Sequence, residues 1–348
     1  MSNLKMKKSK FGTLSDGSKV HIYTVSNGRM SFSAIDLGCT LTSVLLPKKN
    51  GLYTDILLGH SSLEGFVNTS SCVGSFVGRY ANRIADGRFS LDGKKYELDR
   101  NDGGKNFLHG GYDCWGKKIW DSKKIKNRNG LGVEFSRFSP DGEQGLPGNA
   151  FVRVTYTLNE NNELTLEYKL TTDRPTPVNL TNHAYFNLKG TDAGTVADHE
   201  FTLACSRFLE VDDTLVPTGK ILNAKDNPVY DFTQTKTFSA DIDSTQDGYD
   251  TPYLIDDADG SLKTFAVLKE PVEGKMMTVS TTLPVVQVYT GNYMEGYKGK
   301  NGRIYHKHDA VCIEPQEFPD APIHPEFPGA IASPTNPYRS LTVYRFGF

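Results

Sequence analysis

Apolar and polar residues alternate along many short stretches of this chain. Residues 151–158 alternate, the turn Asn159-Glu160-Asn161-Asn162 follows, and residues 163–170 alternate again. Two such runs joined by a short Asn-rich turn predict a β-hairpin. Residues 88–98 predict a second hairpin, with Asp92-Gly93 at its tip. Further strands are expected at 20–25, 31–37, 284–290, 310–313 and 340–346. No long window carries a 3.6-residue period, and only short helical turns fit, for example at 61–66. Length divided by about 150 gives a prior of about two domains. No repeat, linker or pooling of Gly and Pro divides the chain, however. The pattern therefore predicts an all-β fold: one large antiparallel β-sandwich spanning residues 1–348, with residues 1–10 expected to be flexible.

Composition agrees with many strands and turns. The 348 residues include 33 Gly, 17 Pro, 19 Phe, 17 Tyr and 2 Trp. Turn formers and aromatics favour short strands over long helices. The charge is −2, from 39 Lys+Arg against 41 Asp+Glu. This balance gives no electrostatic reason to expect nucleic acid or an anionic membrane as partner. The Lys-bearing N-terminus lacks the apolar stretch of a secretory signal. Five widely spaced cysteines form no CxxC pair, which suggests reduced, mostly buried thiols in a cytoplasmic protein.

Three strand-like segments carry polar chemistry. In residues 180–188, alternation puts Thr181, His183, Tyr185 and Asn187 on one face, with Leu180, Asn182, Ala184, Phe186 and Leu188 on the other, which looks like core. The polar face suits a polyhydroxylated ligand; an ordinary exposed sheet face is the alternative. Glu314 follows an apolar strand and shares a face with Cys312. Desolvation there should raise its pKa and make it a candidate acid or base; a rim carboxylate is the alternative. In residues 284–292, Val286 and Val288 face one way, Gln287 and Tyr289 the other. Two loops add Arg79, Asn82 and Arg83, and His109 before Gly110-Gly111, where backbone and ligand can approach closely. His306-x-His308-Asp309 lacks a third ligand at suitable spacing, so no metal is expected. No cofactor motif occurs.

In order along the chain, Gly-Arg-Tyr-Ala-Asn-Arg-Ile (78–84), Leu-His-Gly-Gly (108–111), Asn-His-Ala-Tyr-Phe-Asn-Leu (182–188), Gly-Tyr-Asp (248–250), Gln-Val-Tyr-Thr-Gly-Asn (287–292) and Glu-Pro-Gln (314–316) resemble the aldose 1-epimerase (galactose mutarotase) family. The resemblance implies an isomerase that interconverts anomers of small aldoses such as galactose and glucose without a cofactor. It implies Glu314 as general base and His183 as general acid. Arg83, His109 and Asp250 would hold the sugar, with Asn82 and Gln287 nearby and Tyr185 available to pack on the ring. Thr251 departs from the family pattern, which usually has His there. A monomer or homodimer is expected, with neither nucleic acid nor membrane as partner. Three other readings stay open: an enzyme of a phosphosugar or disaccharide (Arg79 supplying one charge for a phosphate), a lectin-like binding module, and a glycosidase using Asp250 and Glu314.

Overall fold

The computed structural model describes residues 3–69 and 72–348. Three antiparallel sheets dominate it. The largest has nine strands, in the order Asp121–Asn127, Gly130–Ser139, Ala150–Leu158, Glu163–Thr172, Tyr338–Gly347, Met276–Thr281, Lys263–Lys269, Glu200–Leu203 and Lys236–Thr237. The predicted hairpin sits at its centre, with Leu158 paired to Leu164 and Phe151 to Thr171. The C-terminal strand closes against it, so that residues far apart in sequence become neighbours. A five-stranded meander, Lys5–Thr13 through Tyr53–Asp55, forms the second sheet. The third orders Pro217–Asn223, Arg207–Val211, Asp250–Leu254, Val285–Tyr289 and Cys312–Gln316.

Alternation explains why these sheets face one another. One core cluster takes Tyr23, Val25 and Phe32 from the meander, Val133, Val154 and Leu166 from the large sheet, and Tyr253, Val286 and Ile313 from the third. Each is the inward member of a period-2 run, so burying one face of each sheet leaves the other face for solvent or for a site. The all-β sandwich expected from the pattern is therefore the observed architecture. Among the described residues, no helix is long and apolar enough to cross a membrane.

Two expectations need correction. Residues 5–10 belong to the strand Lys5–Thr13, paired along its length with Lys19–Ser26; residues 1 and 2 lie outside the described residues. Residues 180–188 form a regular strand only at Thr181–Asn182. Beyond it the chain changes partners residue by residue. The His183 amide donates to the Ser75 carbonyl, the His183 carbonyl accepts from Gly74, that of Tyr185 accepts from Leu58, and Phe186 exchanges both bonds with Val311. The alternation survives because the backbone stays extended: Leu180, Ala184, Phe186 and Leu188 enter the core, while His183 and Tyr185 turn the other way.

Arg79 is also unlike its expected role. Its side chain is fully buried, and its guanidinium donates to the carbonyls of Pro147 and Gly148 and to Ser139 Oγ. It ties loops together and offers no charge to a ligand, which removes the one phosphate contact the sequence suggested. Arg79→Met strands two buried carbonyls, and each unsatisfied acceptor costs about 1–3 kcal/mol. Urea unfolding is expected to show a loss of that order; unchanged stability would count against this role.

Candidate active site

The third sheet supplies one wall of the site. Glu314 lies mid-strand in Cys312–Gln316, so Cys312, Glu314 and Gln316 share a face. The neighbouring strand is in register with Gln287 opposite Glu314, and Asp250 lies opposite Tyr289. Glu314, Gln287, Tyr289 and Asp250 consequently project to the same side. The Asn182–Leu188 segment brings His183 and Tyr185 against them, and two loops bring Asn82, Arg83 and His109. All eight residues singled out from the sequence (Asn82, Arg83, His109, His183, Tyr185, Asp250, Gln287 and Glu314) line one pocket of about 190 Å³.

In this pocket His183 Nε2 lies 3.7 Å from a Glu314 carboxylate oxygen. On its other side the imidazole Nδ1 is 3.4 Å from Cys312 Sγ. The ring stacks on Tyr185, with centroids 4.8 Å apart and planes 15° apart. Tyr185 therefore supports His183 with one face of its ring. Ligand-type atoms of His183, Cys312 and Glu314 lie within 4.8 Å of one another. Burial pushes the Cys312 thiol well up, however, which disfavours the thiolate a metal would need.

A chain of hydrogen bonds fixes the rest. Arg83 Nε donates to Asp102 at 2.7 Å, leaving its terminal nitrogens for the pocket. Asn82 Oδ1 accepts from the Arg83 amide, and Asn82 Nδ2 donates to Gln287 Oε1. Gln287 Nε2 in turn donates to Asp250 Oδ1 at 2.5 Å. His109 Nδ1 accepts from the Asn82 amide at 3.2 Å, so its proton resides on Nε2 and is free to be donated. The glycine after His109 is required: Gly110 has φ +88°, and a Cβ there would lie 2.5 Å from the Gly78 carbonyl oxygen.

Burial dominates the electrostatics. Glu314 is 3% exposed; desolvation, reinforced by the Asp250 charge, raises its pKa well above the carboxylate range. Desolvation lowers His183 to about 4. It also drives His109 well down, with help from neighbouring His183. Asp250 is raised by desolvation, partly opposed by Arg83. Desolvation thus favours the uncharged form of both groups, a protonated Glu314 carboxyl beside a neutral His183 imidazole.

Sequence reasoning missed Asp102, Tyr293, Leu108 and Cys72. Asp102 sits in a polar turn, and nothing local tells that its partner is Arg83, 19 positions away. Tyr289 was legible as the face-mate of Gln287. Thr251 does not line this pocket; it faces a neighbouring cavity.

The geometry explains why the segments that carry the family resemblance sit where they do. The sequence pattern of aldose 1-epimerases matches residues 21–345. The chain belongs to the aldose 1-epimerase family. This epimerase is 38% identical to galactose mutarotase of Mus musculus over 339 residues, 97% of each chain. It is 33% identical to aldose 1-epimerase of Escherichia coli K12, over 95% of this chain and 96% of that one. A solved GalM/aldose epimerase homologue from C. elegans superposes with a TM-score of 0.83 at 33% identity, covering 92% of this epimerase and 96% of that chain. Galactose 1-epimerase of Lactobacillus acidophilus superposes at 0.85 over 99% of both chains; at 23% identity this likeness concerns the fold.

Proposed function

We propose that this epimerase interconverts the α and β anomers of hexoses such as galactose and glucose, with Glu314 and His183 as its acid/base pair. The observation that carries the assignment of roles is their 3.7 Å approach at the floor of a pocket otherwise lined with hydrogen-bonding groups. Anomerisation opens the ring: the C1 hydroxyl loses a proton while the ring oxygen gains one. The aldehyde then rotates about C1–C2 and recloses on its other face. One base and one acid suffice. Glu314 takes the C1 proton and His183 delivers one to the ring oxygen; recyclisation reverses both transfers.

The resting proton sits on Glu314, so the base must first pass it to His183. Transfer creates a buried ion pair. At 3.7 Å and an effective dielectric of about 20, the attraction between the two charges is about 4 kcal/mol. The carboxylate–imidazolium form is reached from the neutral form by one proton transfer across this gap, without exchange with solvent. Arg83, His109 and Asp250 hold hydroxyls and fix the sugar against the pair. Polarimetric mutarotation of α-D-glucose and α-D-galactose tests the reading; a rate no faster than the buffer-catalysed one would sink it.

The pH dependence follows from the same pair. Falling pH through about 4 adds a second proton, to His183. Rising pH through the elevated value of Glu314 removes the shared one. kcat/KM is expected to be bell-shaped, with an acid limb near pH 4 set by His183 and both limbs belonging to the coupled groups. An acid limb at the ordinary imidazole position would contradict the assignment.

A further inference from the structure

Two of the five cysteines meet beside the reaction pocket, although 42 positions separate them in the chain. Cys72 lines that pocket together with His183, Tyr185 and Glu314. Its thiol hydrogen-bonds the sulfur of Cys114. Both are half-buried, whereas Cys39, Cys205 and Cys312 are buried. Burial pushes the thiols of those three well up, which leaves them inert. The pair behaves differently. The hydrogen bond from Cys72, helped by the Lys117 charge and the Gly116 and Lys117 amides, brings Cys114 down to about 6 against the effect of burial. The same bond, together with burial, pushes Cys72 well up. Cys114 thus carries the thiolate at neutral pH and Cys72 keeps its proton, as an attacking and a resolving thiol do.

Cys72 opens the turn that holds His183. The Cys72 carbonyl accepts from the Ser75 amide at 3.0 Å. Within the turn, the Gly74 amide donates to the His183 carbonyl at 2.8 Å, and the Ser75 carbonyl accepts from the His183 amide at 2.9 Å. The turn has little freedom to adjust: Gly74 has φ +73°, and a Cβ there would lie 2.2 Å from the Leu41 carbonyl oxygen. A disulfide brings two sulfurs to about 2.05 Å, closer than any hydrogen bond. Linking Cys72 to Cys114 therefore pulls on the turn to which the His183 backbone is bonded on both sides.

We propose that Cys72 and Cys114 are a reversible oxidation site: hydrogen peroxide joins them in a disulfide, and the pulled turn shifts His183 out of its working position. The Cys114 thiolate attacks one peroxide oxygen, the O–O bond breaks, and the leaving hydroxide takes up a proton as water. Cys114 is then a sulfenic acid. The Cys72 sulfur attacks the Cys114 sulfur, the S–O bond breaks, and the hydroxyl leaves with the Cys72 proton as a second water. Two thiols lose two electrons and one peroxide gains them. A dithiol such as dithiothreitol reverses the link by exchange. Loss of turnover rests on the acid/base reading above; formation of the disulfide does not.

Non-reducing peptide mapping of the full chain, with polarimetry on the same samples, tests the site. After hydrogen peroxide, a Cys72–Cys114 link is expected. Misplacing a reacting group by about 1 Å can cost about 10²-fold, so kcat should fall about tenfold or more, and dithiothreitol should restore it. Cys114→Ser is expected to turn over glucose at the wild-type rate and to lose the sensitivity to peroxide. In Cys72→Ser, oxidation of Cys114 should stop at the sulfenic acid, which dimedone labels. In the reduced wild-type protein, alkylation of Cys114 by iodoacetamide should reach half its full rate at a pH of about 6. Peroxide that leaves the two thiols unlinked overturns the proposal. So does a link that leaves kcat unchanged, or a loss of activity that Cys114→Ser shares. A mapped link in a protein that turns over no sugar keeps the oxidation site and removes the acid/base reading instead.

Discussion

Glu314→Gln is expected to lower the mutarotation rate about 10²–10⁴-fold, the contribution of one well-placed proton-transfer group. The substitution keeps the size and shape of a side chain that is 3% exposed, and it removes a group that burial otherwise penalises when charged. The fold should therefore hold: thermal unfolding is expected to be unchanged or slightly raised, while polarimetry shows the loss in kcat. KM should move little, because the amide can still hydrogen-bond the C1 hydroxyl. A variant that retains more than about a tenth of the wild-type rate would remove Glu314 from the role of base.

His183→Asn is expected to cost a similar factor, about 10²–10⁴, for a different reason. The amide can occupy the contact with Cys312 but cannot deliver a proton to the ring oxygen. With the imidazole gone, the acid limb near pH 4 loses its main titrating group, and the residual rate should flatten on that side. Glu314 loses its proton acceptor at the same time. The two residues act as a unit, and the double variant should be little worse than either single one. Additive losses in the double variant would show that the two groups act independently, and an unaltered acid limb would show that another group titrates there.

The stack on Tyr185 and the contact with Cys312 help explain the orientation of His183. Each lies two positions from a reacting residue on its own segment, Tyr185 from His183 and Cys312 from Glu314, and both were visible in the sequence only as face-mates of those residues. The same holds for Gln287. Its value lies in a bridge from Asn82 to Asp250 that no local pattern announces.

Amino-acid order alone determined the strands, the inward face of each and the family resemblance. Side chains alternate with a period of two whatever the partner strand. That local rule put Glu314 with Cys312, Gln287 with Tyr289 and His183 with Tyr185 before any contact was known. Tertiary structure decided everything that depends on which strands meet. It buried Arg79 and aimed Arg83 into the pocket, although both lie in one seven-residue motif. It exchanged partners along residues 183–187 where a continuous strand was expected. It also brought His183 and Glu314, 131 positions apart in the chain, to 3.7 Å, and opened a cavity beyond Asp250. These outcomes depend on long-range packing and desolvation, which arise only when distant segments close on one another and exclude water.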